Sequence, residues 1–507
     1  MAEAFAYLGE SFLTILQPLN LLIMFGGVAF GVVMGALPGI SATMAVIFCL
    51  SFTYAMDPVL GITFLCAVNC AAVTGGGITA ILFNIPGTPA SAVTTFDGGP
   101  MVKRGEVGRA LSLDLFASAI GNMIGAIIMF FCTAPLMVAA LKFGASEMCV
   151  IVLLGLSIII FLDEKNMLLT IASGLIGLWI ATIGQDPVTG QARYTFGSSF
   201  LMAGIDMLPF MIGMFAMTEL YSEFIDPEKV LMGKQDPRKV TKLTTVKEMF
   251  SMRRLMLRDS ILGTIVGILP GAGCTIASFL SYSMETKLSK HPKDFGTGIP
   301  DGICASETAN NAAAAGMMIP LIAMGIPGGT SAAMMGIALN IQGVKIGPLL
   351  LKTQPLYLYT IVAGMLFASI AMVMVSMLVA KVFARVLCMP YRYLAAMIFI
   401  LSTVGCYAYN GRINDVYVML IAGIFGIVCK KVHLNSSSIV LGVVLGQLFE
   451  ENLRRTLTLS TKGVFNYLMG RPVTICIFLF IIAVFAVTFI KRSREKKTAS
   501  ATQGDNQ

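Results

Sequence analysis

What this chain lacks narrows its class. Only 12% of its 507 residues are charged, and it carries two histidines and one tryptophan. A soluble protein holds roughly twice that share of charge, so a water-dissolved globule is excluded. The 11 cysteines stand without a C-x-x-C pair. Those inside apolar runs, such as Cys49, Cys132 and Cys149, read as small buried hydrophobes and not as metal ligands or disulfide partners. His291 and His433 have no partner at ligand spacing. H-E-x-x-H, G-x-S-x-G and paired intramembrane aspartates are absent, so no enzyme is expected. G-x-x-x-x-G-K-[ST] is absent too, which excludes a self-contained nucleotide-driven pump. The opening MAEAFAYLGESFLTILQPLN has no basic n-region and no cleavage site behind an apolar core. No removable signal is expected there, and the first apolar helix directs insertion.

What is present is apolar length. Hydrophobic residues make up 56% of the chain, and the mean hydropathy is +0.84. Runs nearly free of charge occur at 20–36, 115–140, 146–162, 167–184, 201–220, 259–284, 356–380, 391–409, 414–429 and 472–490. Each can cross a bilayer core, so an all-α polytopic membrane protein of roughly 10–14 spans is expected. A β-barrel would show short alternating segments instead.

The net charge of +8 sits in a few loops and is not a nucleic-acid signature. Nine Lys and Arg fall within 222–258, and five more in the tail KRSREKKTAS. The positive-inside rule puts both on the cytoplasmic side. The expected domains are a first membrane repeat over 1–221, a cytoplasmic basic linker over 222–258, a second membrane repeat over 259–490, and a cytoplasmic tail over 491–507. Within the linker region, TTVKEMFSMRRLMLRDS (244–260) reads either as a helix lying on the membrane surface or as a solvated loop.

The two halves resemble each other. GALPGISATMAVIFCLSF (35–52) is answered by GILPGAGCTIASFLSYSM (267–284), and NCAAVTGGGITAILFNIPGTPASA (69–92) by NNAAAAGMMIPLIAMGIPGGTSAA (310–333). Asn69 precedes Pro86 by the same 17 residues that separate Asn310 from Pro327. Two motifs in one order, with one spacing kept, indicate a duplication. The loop at 54–61 has no Lys or Arg, whereas its counterpart at 285–296 has Lys287, Lys290 and Lys293. After the second motif the bias reverses, and opposite bias at equivalent loops is what inverted topology predicts.

Proline followed by glycine breaks a helix. In lipid, broken backbone is tolerated only inside protein or along a wet cavity. Matched breaks in two inverted halves point to a transport site near the midplane. Free N–H groups at a half-helix start suit an anion, and unwound carbonyls with hydroxyls suit sodium. The expected substrate-binding residues are Asn84, Pro86, Gly87, Thr88, Ser91, Thr94, Asn310, Asn311, Pro327, Gly328, Gly329, Thr330 and Ser331. Asn69, Thr74, Ser306 and Glu307 are expected to serve the coupling ion. The LPG breaks at 37–39 and 269–271 form a second pair. The competing reading is that Gly, Ser and Thr let helices pack closely. Glu307 reads two ways: a first-turn carboxylate behind a Ser306 cap, or an intramembrane carboxylate that balances sodium or carries a proton. Asp57 and Asp97 are expected at membrane edges. No Lys or Arg falls within the motifs, so an anion must be held by amides, dipoles and hydroxyls.

At ALPGISA (36–42), GGGITAILFNIPGTPASAVTTFDGGPMVKRGEVGRAL (75–111), GILPGAG (267–273) and FGTGIPDGICASETANNAAAAGMMIPLIAMGIPGGTSAAMMGIAL (295–339), the chain resembles the large membrane subunit of the tripartite tricarboxylate transporter family. The resemblance implies an inner-membrane permease that imports a di- or tricarboxylate such as citrate, driven by a sodium or proton gradient. It implies two protein partners, a small four-helix membrane subunit and a periplasmic solute-binding protein, and leaves a homodimer open. It also implies kinship with elevator-type carboxylate transporters. Apart from the coupling ion, no cofactor is expected. A channel and a single-component carboxylate carrier are the alternatives.

Overall fold

The computed structural model describes residues 2–483 except 38–40, 55, 85, 163–166, 187–188, 219, 222–242, 270–272, 387–395, 397–398, 401, 405, 408–409, 461–466 and 468–470. The chain forms two units, Met1–Leu141 with Ile205–Ser436, and Lys142–Gly204 with Ser437–Gln507.

The first unit opens with α1 (Ala2–Ile15), α2 (Pro18–Gly35), α3 (Ala42–Thr53), α4 (Pro58–Phe83), α5 (Thr94–Lys103) and α6 (Val107–Ala140). Local chemistry sets the starts. Pro18 and Pro58 stand in the first turns of α2 and α4, where their missing N–H costs nothing. Asp57 Oδ1 accepts the Val59 N–H at 3.0 Å and caps α4, so the expected edge aspartate is a helix cap. Ser41 Oγ accepts the Met44 N–H at 3.3 Å and caps α3. After residue 205 come α9 (Arg253–Ile268), α10 (Gly273–Leu288), α11 (Pro300–Gly316), α12 (Met318–Met324), α13 (Thr330–Ile341), α14 (Pro355–Val386) and α15 (Ile413–Lys431), with short helices at Met207–Ile212 and Val246–Ser251. The run at 259–284 is thus two helices, α9 and α10, that stop and start on either side of the LPG break.

The second unit holds α7 (Ala145–Leu162), α8 (Met167–Ala181), a two-residue antiparallel ribbon pairing Gly184–Gln185 with Ala192–Arg193, and α16 (Ser436–Leu459). A further apolar helix spans Pro472–Ala483. Gly177 meets α16 so closely that an added Cβ would lie 2.1 Å from the Ile439 carbonyl oxygen. Asp186, Arg193, Glu450 and Arg454 form one ion-pair cluster at the ribbon.

Among the described residues, five helices are long and apolar enough to cross a membrane: α2, α4, α6, α14 and α15. The chain is therefore a multi-pass membrane protein. α2 and α4 are equally apolar, yet most of α4 is buried while more than half of α2 is not. α4 is a core helix of its unit, and α2 shows a face to the outside.

Glycine lets α2 and α4 touch backbone to backbone. A Cβ on Gly35 would lie 1.9 Å from the Ala72 carbonyl oxygen, and one on Gly75 2.4 Å from that of Val32. The pair α9 and α11 repeats this at the positions the sequence repeat aligns: Gly267 stands 2.3 Å from the Ala313 oxygen by the same measure, and Gly316 2.4 Å from that of Thr264. Small residues are what such approach requires.

The stretch 244–260 is not one helix. Thr245 Oγ1 accepts the Glu248 N–H at 3.3 Å and starts a six-residue helix. The chain bends at Met252 and α9 begins at Arg253. Charge ties this segment to the bundle: Arg109 Nε of α6 donates to Glu248 at 3.0 Å, and Arg258 pairs with Asp259 and with Glu285 of α10 at 2.7 and 2.6 Å.

Candidate substrate and ion site

Both Pro–Gly segments leave their helices in the same way. α4 ends at Asn84 in the left-handed region, φ 57°, and α12 ends at Gly325 with φ 76°. Asn and Gly are the residues that accept this conformation at a helix end. The chain then folds back. The Gly87 N–H donates to the Gly76 carbonyl at 3.2 Å, and the Gly328 N–H to the Met317 carbonyl at 3.3 Å. These are again aligned positions of the repeat. A Cβ on either loop glycine would strike backbone 2.4 Å away, at the Gly35 oxygen for Gly87 and the Gly267 oxygen for Gly328.

Each fold-back leads into a helix start. After Gly87 comes the 3-10 turn Pro89–Ala92, whose Thr88 and Ser91 hydroxyls lie 2.9 Å apart and are buried. After Gly328 comes α13, and Thr330 Oγ1 lies 3.3 Å from Thr43 Oγ1 in the first turn of α3. Gly329 faces the start of α10, since its added Cβ would lie 3.8 Å from the Gly273 Cα. The starts of α3, α13 and α10 therefore gather, with hydroxyls at their mouths, and Pro327 is buried beside them. Neither Lys nor Arg is among these residues. Ser331 is buried in the first turn of α13. Asn84 and Pro86 are exposed, and Asn84 Oδ1 points at Gly99 of α5.

A second cluster lies on α11. Glu307 is fully buried. Thr94 of α5 donates to its Oε1, Asn310 Nδ2 to its Oε2 at 3.2 Å, and Ser118 of α6 to the same oxygen at 3.5 Å. Thr94 also meets Ser306 at 3.3 Å. Asn311 Nδ2 donates to the Glu307 carbonyl at 3.0 Å, and Thr74 of α4 donates to Asn311 Oδ1 at 3.0 Å. Six of the expected residues (Thr74, Thr94, Ser306, Glu307, Asn310 and Asn311) thus share one network. Asn69 is buried with its Oδ1 unpartnered. The first-turn reading of Glu307 fails: α11 starts at Pro300, so Glu307 lies two turns in. Ser306 bonds to the Gly302 and Ile303 carbonyls instead of capping.

The family model described as "Tripartite tricarboxylate transporter TctA family" matches residues 21–441. The chain belongs to this family. The "Uncharacterized 52.8 kDa protein in TAR-I ttuC' 3'region" of Agrobacterium vitis is 34% identical over 500 residues, covering 98% of each chain. The "Uncharacterized protein in TAR-II ttuC' 3'region" of the same organism is 39% identical over 198 residues, covering 39% of this chain and 82% of that protein. No solved structure matches. TctA proteins are transport proteins of tripartite systems, which also contain a periplasmic binding protein and a small membrane subunit.

Three residues of this TctA chain escaped the sequence reading. Asp97, assigned there to a membrane edge, is fully buried. Its Oδ1 accepts the N–H groups of Gly296, Gly298 and Ile299 at 2.9, 2.7 and 3.0 Å, and its Oδ2 accepts the Tyr282 hydroxyl at 2.9 Å. It pins α5 to the start of α11. Asp114 is fully buried in α6, with neither carboxylate oxygen in a hydrogen bond of good geometry. It fell just outside the apolar run at 115–140, but α6 begins at Val107 and so carries it two turns inward. Thr43 had a signal, its place just after the LPG break.

Proposed function

We propose that this chain is the permease of a tripartite system that imports a di- or tricarboxylate, citrate-like in chemistry, across the bacterial inner membrane. The observation that carries the reading is the gathering of the α3, α13 and α10 starts, lined by Thr43, Thr330 and Gly329 and free of Lys and Arg. Free N–H groups and the positive ends of helix dipoles suit a carboxylate, and hydroxyls fix its orientation. In this reading Gly87, Thr88, Ser91, Gly328, Gly329, Thr330 and Ser331 surround the substrate, and the Glu307 network serves the coupling cation, sodium or a proton.

The matched fold-backs support two repeats of inverted topology that carry the site between the faces in elevator fashion. A periplasmic binding protein delivers the substrate, the small membrane subunit completes the permease, and the basic linker and C-terminal tail lie in the cytoplasm.

The test is uptake of radiolabelled citrate and smaller dicarboxylates into proteoliposomes. The chain alone is compared with the chain plus its small subunit and binding protein, with and without a sodium gradient. Uptake in the full assembly alone is expected. Uptake by the chain by itself would support a single-component carrier, and no carboxylate uptake in any arrangement would overturn the substrate class.

A further inference from the structure

Glu307 is not the only buried carboxylate at its site. Asp114 of α6 and Glu307 of α11 are both fully buried, and Ser118, four residues after Asp114 on the same helix, reaches Glu307 Oε2 at 3.5 Å. A Cβ on Gly77 would lie 2.4 Å from Asp114 Oδ1, so this carboxylate is pressed against the backbone of α4. Ser118 faces both carboxylates: it donates to Glu307 and is within hydrogen-bond reach of Asp114. Every hydrogen-bond partner of Glu307 is neutral: Thr94, Ser118 and Asn310. The other titratable groups that bear on the two carboxylates are thiols, Cys304 for Asp114 and Cys274 for Glu307. No lysine or arginine is paired with either among the described residues.

Two carboxylates so placed cannot both stay ionised in a dry interior without a countercharge. The chain does not supply one. It supplies oxygen instead. Both Asp114 oxygens and Asn310 Oδ1 are buried without a hydrogen bond of good geometry, and the hydroxyls of Thr94 and Ser118 already face Glu307. A proton needs a single acceptor. Unpartnered carboxylate and amide oxygens on α6 and α11, with hydroxyls of α5 and α6 beside Glu307, are the donor types that a hard metal cation takes.

We propose that Asp114 and Glu307, with Thr94, Ser118 and Asn310, form a sodium site, and that Asp114 is its second anionic ligand. Sodium supplies the countercharge that no Lys or Arg gives here. The site bears on transport only if the chain is the cation-coupled permease proposed for it, but the binding itself does not depend on that reading. Thr94 starts α5, the helix that follows the first Pro–Gly segment, so an ion held here fixes that segment against α11.

The test measures binding without substrate. Full-length protein in detergent is assayed for thermal stability and for radioactive sodium bound at equilibrium, in sodium, potassium, choline or magnesium chloride. Sodium should raise the melting temperature where potassium and choline do not. Asp114→Asn should weaken sodium half-saturation roughly tenfold or more, and Glu307→Gln should do the same. Asp57→Asn, which keeps a good cap on α4, should bind like the parent. Should Asp114→Asn fail to fold, Ser118→Ala replaces it, with a smaller expected loss. Absence of saturable sodium binding in the parent, equal stabilisation by choline, binding of magnesium alone, or an unchanged half-saturation in Asp114→Asn would each overturn the site. A chain that binds sodium but takes up no carboxylate would leave the site standing and remove the functional reading.

Discussion

Thr43 and Thr330 come from opposite halves of the chain, yet their hydroxyls lie 3.3 Å apart where α3 and α13 begin. Each comes just after a Pro–Gly break, so the contact joins one break of the first repeat to the other kind of break in the second. If the carboxylate sits at this junction, Thr330→Val removes a hydroxyl at nearly constant volume. A lost hydrogen bond to a charged group costs about 1.5 kcal/mol or more, or about tenfold in affinity. KM for uptake should rise about tenfold while the melting temperature stays near the parent's. An unchanged KM would place the substrate elsewhere.

The glycine contacts make a contrast that stability measurements can read. Gly267→Ala puts a methyl 2.3 Å from the Ala313 oxygen, and backbone cannot step aside. Overpacking of this kind costs about 1–3 kcal/mol, and the cost falls on the seam that carries the second break. Gly26→Ala, in α2, meets nothing within 4 Å. It should be neutral or stabilise by about 0.5–1 kcal/mol through helix propensity. Melting of the two purified variants is the check. Equal behaviour would mean that the seam is looser than the distances say.

Much of this was legible in the sequence because it depends on residue type at fixed spacing. The repeat motifs located the breaks, and Asn84 and Gly325 occupy matched left-handed positions because each motif ends its helix in the same way. Six of the expected residues met around Glu307. The rest depends on partners from distant sequence. The partners of Asp97 were not legible, since nothing near it shows that Gly296, Gly298 and Ile299 will offer it three N–H groups. Asp114 was hidden by a boundary: hydropathy starts its run one residue later, while the helix itself starts at Val107. Thr88 and Thr330 stand one position apart in the aligned repeat, but the sequence did not tell that one would find Ser91 on its own turn and the other Thr43 in the opposite half.

Asp97 also yields a graded prediction. Asp97→Ala leaves the N–H groups of Gly296, Gly298 and Ile299 without their acceptor, that of Gly298 buried and the others part-buried, and should cost about 1–3 kcal/mol. Asp97→Asn keeps one oxygen for those donors, and its amide can donate to the Tyr282 hydroxyl once that group turns, so its cost should be well below that of Ala. Melting temperature should therefore fall in the order Asp, Asn, Ala. If Asn and Ala were equally harmful, the negative charge at the helix start would matter more than the hydrogen bonds.

The proximity of Thr43 and Thr330 also tests how the site moves. In elevator transport the two breaks travel as one body, and a bond between them should leave transport intact. In a mechanism that opens the site by parting α3 from α13, the same bond should stop it. Thr43→Cys with Thr330→Cys puts two thiols within bridging reach, given that hydroxyls there stand 3.3 Å apart and disulfides need Cα atoms within about 7 Å. Cross-linking is induced with oxidant in proteoliposomes and scored by mobility shift, and uptake is measured before and after reduction. The single-cysteine variants control for the native cysteines, of which Cys274 at the start of α10 lies nearby. The elevator reading expects oxidised and reduced protein to transport at rates within about twofold of each other, a difference of about 0.4 kcal/mol in barrier. Loss on oxidation with recovery on reduction would show that the two helix starts separate during the cycle, and the moving body would then have to be drawn to include only one of them.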